Sequence, residues 1–235
     1  MPGNAESRVA VIIPAYRAAR TVAAVVTRAA MAVPGAAVYL VDDGSDDATA
    51  ILGREAGAQV LGHVRNRGKG AALATGVEQA LGDGAAWIVT LDADGQHPPE
   101  LVPALLELLQ RDQADLVLGA RARTTTMPWP RRLTNWLSAS LASRVAGGGT
   151  VVADAQTGFR AFSRSVAQQV RPRETRYDYE TAFLLAVLVT GFRVRSVPIP
   201  TIYAGAPSHF RSWADTWRLA RVFARYSRRI LFGTA

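Results

Sequence analysis

The chain contains no cysteine in its 235 residues. Disulfides, thiolate metal sites and a cysteine nucleophile are therefore excluded, and a reducing compartment is the expectation. Lysine is nearly as scarce. Arginine supplies all but one of the 27 basic residues, and the single lysine is Lys69. The opening stretch MPGNAESR lacks the apolar segment of a signal peptide. The longest apolar run, Ala182 to Val189, falls far short of the roughly 20 residues of a spanning helix. No internal repeat and no low-complexity linker interrupts the chain. These absences lead to a soluble or peripheral protein. Its 49% hydrophobic and 20% charged residues imply a packed core rather than disorder.

What is present in excess is positive charge. The net charge is +8, from 27 basic and 19 acidic residues. Arg121, Arg123, Arg131, Arg132 and Arg144 lie in a stretch with no acid, and residues 211 to 229 hold six arginines against Asp215 alone. Such clusters call for an anionic partner: nucleic acid, a phosphorylated ligand or an anionic membrane surface. No aromatic-basic RNA-binding motif accompanies them, so no nucleic acid is expected.

Strand and helix alternate through the first half. VAVIIPA (9–15), AAVYLVDD (36–43), AQVLGHV (58–64), AAWIVTLDAD (85–94) and ADLVLGAR (114–121) read as strands. Between them, helices are predicted over 18–32, 46–57 capped by Asp46, 68–82 and 98–112. The strands are apolar enough for burial on both faces. The fold class is therefore an α/β sandwich around a mostly parallel sheet. The second half predicts a helix over 131–146, a short strand at 157–164, a buried helix at 179–191 and an edge-like strand at 192–200. A basic amphipathic helix over 211–232 closes the chain, with Trp213, Trp217, Ala220 and Ala224 on one stripe widened by Leu219, Val222, Phe223, Tyr226 and Ile230.

Polar clusters recur at the carboxyl ends of the apolar strands, the edge where open α/β sheets bind ligands. After the fourth strand comes DADGQ. Alternate positions at a strand end point to one side, so Asp92 and Asp94 can converge. Hard oxygen ligands beside a diphosphate suit Mg²⁺ or Mn²⁺, and Gln96 offers a third oxygen. Helix capping before the two prolines is the competing reading, and it accounts for one polar residue but not three. His97 beside the proline turn reads as structural rather than as a ligand. In DDGSDDAT, Asp43 suits a nucleotide base while Asp46 caps the following helix. In RNRGKG, the glycines permit close backbone approach and Lys69 opens a helix, both suited to phosphate.

The order of these motifs resembles the inverting family 2 glycosyltransferases of GT-A fold, closest to the dolichol- or polyprenyl-phosphate mannose synthase branch. The segments that carry the resemblance are VIIPAY, VDDGSDDAT, NRGKGAALATG, LDADGQHPPE, LVLGAR, DAQTGFRAFSR and VPIPTIY, from about Val9 to Tyr203. The resemblance implies a GDP- or UDP-sugar donor held by Pro14, Tyr16, Asp42, Asp43, Lys69, Asp92 and Ala93. It implies Mg²⁺ or Mn²⁺ on Asp92, Asp94 and Gln96, and donor or acceptor phosphate on Arg121 or Arg123 and Arg131 or Arg132. The family usually carries a glutamate soon after the tyrosine, where this chain has Arg17, and leucine where Gly95 stands.

A polyprenyl phosphate acceptor is already an anion and needs little base assistance, whereas a hydroxyl acceptor needs a carboxylate base. Asp154 is the candidate base, with Asp178 or Glu180 behind it, and Arg160 orders this loop or meets phosphate. Ser208, His209 and Arg211 would close over phosphate. The expected organisation is one GT-A domain over 1–205, with a nucleotide-binding half at 9–95 and an acceptor half at 96–205, followed by the basic helix within 206–235. That helix is expected to rest on the inner face of a bacterial cytoplasmic membrane.

Overall fold

The computed structural model describes residues 8–121, 140, 143, 152, 154–176, 178–200 and 221–226. Arg123, Arg131, Arg132, Ser208, His209, Arg211 and the tryptophans of the tail lie outside these residues.

Strands β1 (Val9–Ala15), β2 (Ala37–Asp42), β3 (Gln59–Gly62), β4 (Trp87–Thr90), β5 (Leu116–Arg121), β6 (Arg160–Ser163) and β7 (Val194–Ile199) form one sheet in the order β3-β2-β1-β4-β6-β5-β7. All neighbours are parallel except β6, which runs antiparallel to both β4 and β5. The mostly parallel sheet expected from the apolar strands is thus present. β7 sits at the sheet's margin, which tolerates its Pro198.

Successive strand residues serve opposite layers. Ala10 and Ile12 join Tyr39, Val41 and Ile88 in one core, while Val11 and Ile13 join Leu40, Val89 and Leu91 in the other. Helices α1 (Val22–Ala32), α2 (Thr49–Glu55) and α4 (Val102–Gln110) cover the second core. α4 buries Val102, Leu105, Leu106 and Leu109 at helical spacing, each worth roughly 1.5–3 kcal/mol of transfer free energy. Helices α3 (Lys69–Gly82), α5 (Arg164–Gln169) and α6 (Tyr179–Val189) cover the first core. α6 is apolar almost all round because it lies within that core rather than on its surface.

Two expectations are corrected here. The helix predicted from residue 18 begins at Val22, after a turn in which the Ala18 and Ala19 N–H groups donate to Thr49 Oγ1 and Asp47 Oδ2. Asp46 does not cap α2. It pairs with Arg17 through two 2.7 Å bonds, and Asp47 receives the Thr49 N–H instead. In the tail, Val222, Phe223 and Tyr226 are buried in the first core, while Arg225 bonds Glu174 on the surface. Val222, Phe223 and Tyr226 are therefore used inside the protein, while Ala224 of the expected stripe is exposed.

Candidate active site

The strand order reverses between β1 and β4, since the chain builds outward through β2 and β3 and then returns to the other side of β1. A crevice opens at the carboxyl ends of strands at such a switch point. β1 leads into Tyr16, which stands 42% exposed there, and β4 leads into Asp92 and Asp94.

Asp92 is the centre of a charge cluster. Its Oδ1 lies 2.6 Å from Lys69 Nζ, and the same ammonium lies 2.6 Å from Glu180 Oε1 on α6. Burial works against the Lys69 charge, but Asp92 and Glu180 outweigh it and raise its pKa. Burial likewise opposes ionisation of Asp92, yet Lys69 and then His97 hold its carboxyl down at about 2. Asp94 responds in the opposite sense. Burial and the Asp92 charge raise its pKa, against a Gln96 N–H that donates to its Oδ1 at 2.9 Å. Gly95 lies between them at φ +75, a conformation glycine adopts without strain, so this departure from leucine suits the tight turn. His97 is buried, stacks on Phe159 and accepts the Asp92 backbone N–H at 3.3 Å, which is the structural role expected of it.

Two more elements converge on Asp92. The antiparallel register sets Thr90 opposite Arg160, and Thr90 Oγ1 donates to the Gly158 carbonyl at 2.7 Å. This draws Gly158 beneath the carboxylate. A Cβ at Gly158 would sit 2.6 Å from Asp92 Oδ1 and 2.9 Å from Lys69 Nζ, so any larger residue would push this ion pair aside. From β5, Arg121 approaches Asp92 and Asp94 while its Nε donates to Asp154 Oδ2 at 2.9 Å. Burial lowers the Arg121 pKa, and Asp154 and the site aspartates more than restore it.

Several sequence-derived candidates have partners within the protein itself. Asp154 is wholly enclosed, with one oxygen on Arg121 and the other accepting the Gln156 N–H. Arg160 is buried and donates to the carbonyls of Thr157, Glu180 and Ala155, so it orders the loop and meets no open surface. Asp43 is also enclosed, and its carboxylate accepts from the N–H groups of Arg67 and Gly68 and contacts His63. Asp42 accepts from Ser45 and is buried, and the Ala93 carbonyl accepts from Thr21. The glycines of RNRGKG serve close protein packing. A Cβ at Gly68 would lie 2.4 Å from the Thr175 carbonyl, and one at Gly70 would lie 2.7 Å from Tyr179 Cβ. The His63 partnership and the Gly158 floor are absent from the sequence reading. The TGFR segment was the available sign of the latter, through a glycine directly after the loop polar residues.

The donor set fits a divalent cation. Asp92 Oδ1 is buried with an ion pair but no aligned hydrogen bond, leaving lone pairs free. Asp94 is a second hard oxygen donor whose ionisation a cation would favour. Among the described residues no group of three or more His, Asp or Glu side chains is arranged to hold a metal. Mg²⁺ commonly takes only one or two protein carboxylates and completes its shell with water and phosphate oxygens.

Comparison with known proteins identifies the family. Residues 10–171 match the family model for glycosyl transferase family 2. The chain belongs to this family. This family 2 glycosyltransferase is 32% identical to polyprenol monophosphomannose synthase of Mycolicibacterium smegmatis, over 82% of this chain and 76% of that one. It is 30% identical to undecaprenyl-phosphate mannosyltransferase of Micrococcus luteus over 82% of each chain. It is 31% identical to dolichyl-phosphate hexose transferase of Haloferax volcanii over 81% of each. Among solved structures, glucosyl-3-phosphoglycerate synthase of Mycobacterium tuberculosis, in complex with Mn²⁺, UDP-glucose and phosphoglyceric acid, superposes with a TM-score of 0.74. It is 22% identical, over 96% of this chain and 80% of that one, and establishes the shared GT-A fold.

Proposed function

We propose that this glycosyltransferase moves a hexose from a GDP- or UDP-sugar to a polyprenyl phosphate, with inversion and with a divalent metal. The observation that carries the reading is the Asp92–Asp94 pair at the switch-point crevice, flanked by Lys69 and Arg121. The relatives named above for lipid phosphates support the acceptor class. Residues 9–95 would bind the nucleotide and residues 96–205 the acceptor.

Asp92 and Asp94 would hold Mg²⁺ or Mn²⁺, with Gln96 beside them. When bound, the metal supplies charge neutralisation to the departing nucleoside diphosphate. Tyr16 offers an exposed ring beside the crevice for the donor base, with the Pro14 end of β1 behind it. Arg121, aimed by Asp154, presents a fixed cation to phosphate. An anionic acceptor suits the enclosure of Asp154: a phosphate oxygen attacks the anomeric carbon without surrendering a proton, so the carboxylate is free to orient Arg121.

The test is a screen of GDP- and UDP-sugars with Mn²⁺ against a short polyprenyl phosphate, followed by product mass. A hexosyl phosphate lipid is expected, with turnover lost in EDTA. Asp94→Ala is expected to fold and to lose at least about a hundredfold in rate, the scale on which electrostatic groups at reacting charge act. A rate equal to the parent protein would remove Asp94 from the metal site.

A further inference from the structure

The loop after β3 exposes an apolar side chain in a rigid setting. Val64 is fully exposed. It follows His63, which is held between Asp43 and Thr75 at 2.7 and 3.0 Å. The loop then runs through Arg65 and Arg67, both exposed, before Asp43 clamps the N–H groups of Arg67 and Gly68. A Cβ on Gly68 would lie 2.4 Å from the Thr175 carbonyl and 3.1 Å from Arg176 Cγ, and one on Gly70 would lie 2.9 Å from the Glu174 carbonyl, so residues 174–176 are packed directly against this loop. That stretch brings exposed Arg176, and exposed Arg173 immediately precedes it. None of these four guanidinium groups has a hydrogen-bond or ion-pair partner among the described residues. Of the acids beside it, Glu174 is 7% exposed and pairs with Arg225, Asp43 is enclosed, and Asp178 accepts the Arg176 backbone N–H, which leaves the guanidinium groups in excess.

We propose that Val64 together with Arg65, Arg67, Arg173 and Arg176 forms a docking surface for an anionic membrane. Guanidinium groups pair with lipid phosphates, and an apolar side chain standing out from such a collar enters the headgroup–acyl boundary. The surface adjoins the site, since Asp43 ties its loop to the carboxyl edge of the sheet and the next residue, Lys69, reaches Asp92. Docking here would turn the crevice toward the bilayer that carries a lipid phosphate; this clause rests on the proposed acceptor. The contact thereby moves from the tail, whose Val222, Phe223 and Tyr226 are buried, to the β3–α3 loop and the segment before α6.

The experiment is co-sedimentation of the full chain with phosphatidylcholine vesicles with or without phosphatidylglycerol. Binding is expected only with phosphatidylglycerol and is expected to weaken with salt. Each arginine near an anionic leaflet contributes on the order of fivefold in partitioning, so Arg173→Gln/Arg176→Gln should bind on the order of 25-fold more weakly. Val64→Asp should lose about tenfold by withdrawing one buried apolar side chain. Both variants should turn over a short water-soluble polyprenyl phosphate at the parental rate and a vesicle-borne one more slowly. Parental vesicle binding by both variants would overturn the surface and leave the acceptor reading intact, as would loss of binding only in Arg228→Gln/Arg229→Gln. Vesicle binding through this surface without transfer to any lipid phosphate would overturn the acceptor reading alone. Binding of RNA through these arginines without vesicle binding would assign the surface to nucleic acid.

Discussion

Lys69 shows how much one residue depends on its partners. Its ammonium is shared between Asp92 and Glu180, both largely withdrawn from water. Removing one member of a buried ionic group leaves an uncompensated charge and costs about 3–5 kcal/mol. Lys69→Met should therefore lower unfolding free energy by about that amount, and adding Glu180→Gln should recover part of it. Urea unfolding of the single and double variants checks this; equal loss in both would mean that Glu180 is not the counter-ion. The lone lysine was visible at once in the sequence, and its place at a helix start suggested phosphate. Its two carboxylate partners lie 23 and 111 positions further along, beyond any local pattern.

At the scale of elements, α3 illustrates close packing. A Cβ on Gly76 would sit 2.4 Å from Ile12 Cγ2, whereas one on Gly82 would meet nothing within 4 Å. Replacing glycine by alanine in a helix ordinarily gains up to about 1 kcal/mol, and Gly82→Ala should show such a gain. Gly76→Ala should instead lose about 1–3 kcal/mol by forcing α3 away from β1. Denaturant midpoints of the two variants, moving in opposite directions, are the expected result. The periodicity of α3 was legible in the sequence, and so was its existence as a helix. Which of its glycines faces a strand was not, because that follows from how deeply the helix settles on the sheet.

The site as a whole gathers groups from the ends of β4 and β5, the start of α3, the 154–158 loop and α6. Lys69 and Arg121 face Asp92, Asp94, Glu180 and Asp154. Burial and the Asp92 charge raise the pKa of Asp94, so in the proposed metal site its proton would compete with metal from a higher pH than an ordinary aspartate's would. The sign follows directly: lowering the pH through that raised value protonates a ligand and weakens the metal. Calorimetric Mn²⁺ titrations should show affinity falling before the usual aspartate range near about 4 is reached. Affinity that stays constant down to that range would contradict the raised value.

Composition, the alternation of apolar strands with helices, and the motif order determined by themselves the α/β class, the family and the paired aspartates. These are legible because strand burial and metal chemistry leave local, short-period signatures in a chain. Tertiary structure alone decided that Asp43, Asp154 and Arg160 bind their own protein, that Gly158 underlies Asp92, and that residues 174–176 pack against the loop after β3. Each of these depends on contacts between distant segments, and the antiparallel insertion of β6 between β4 and β5 is what brings the 154–160 loop to the crevice.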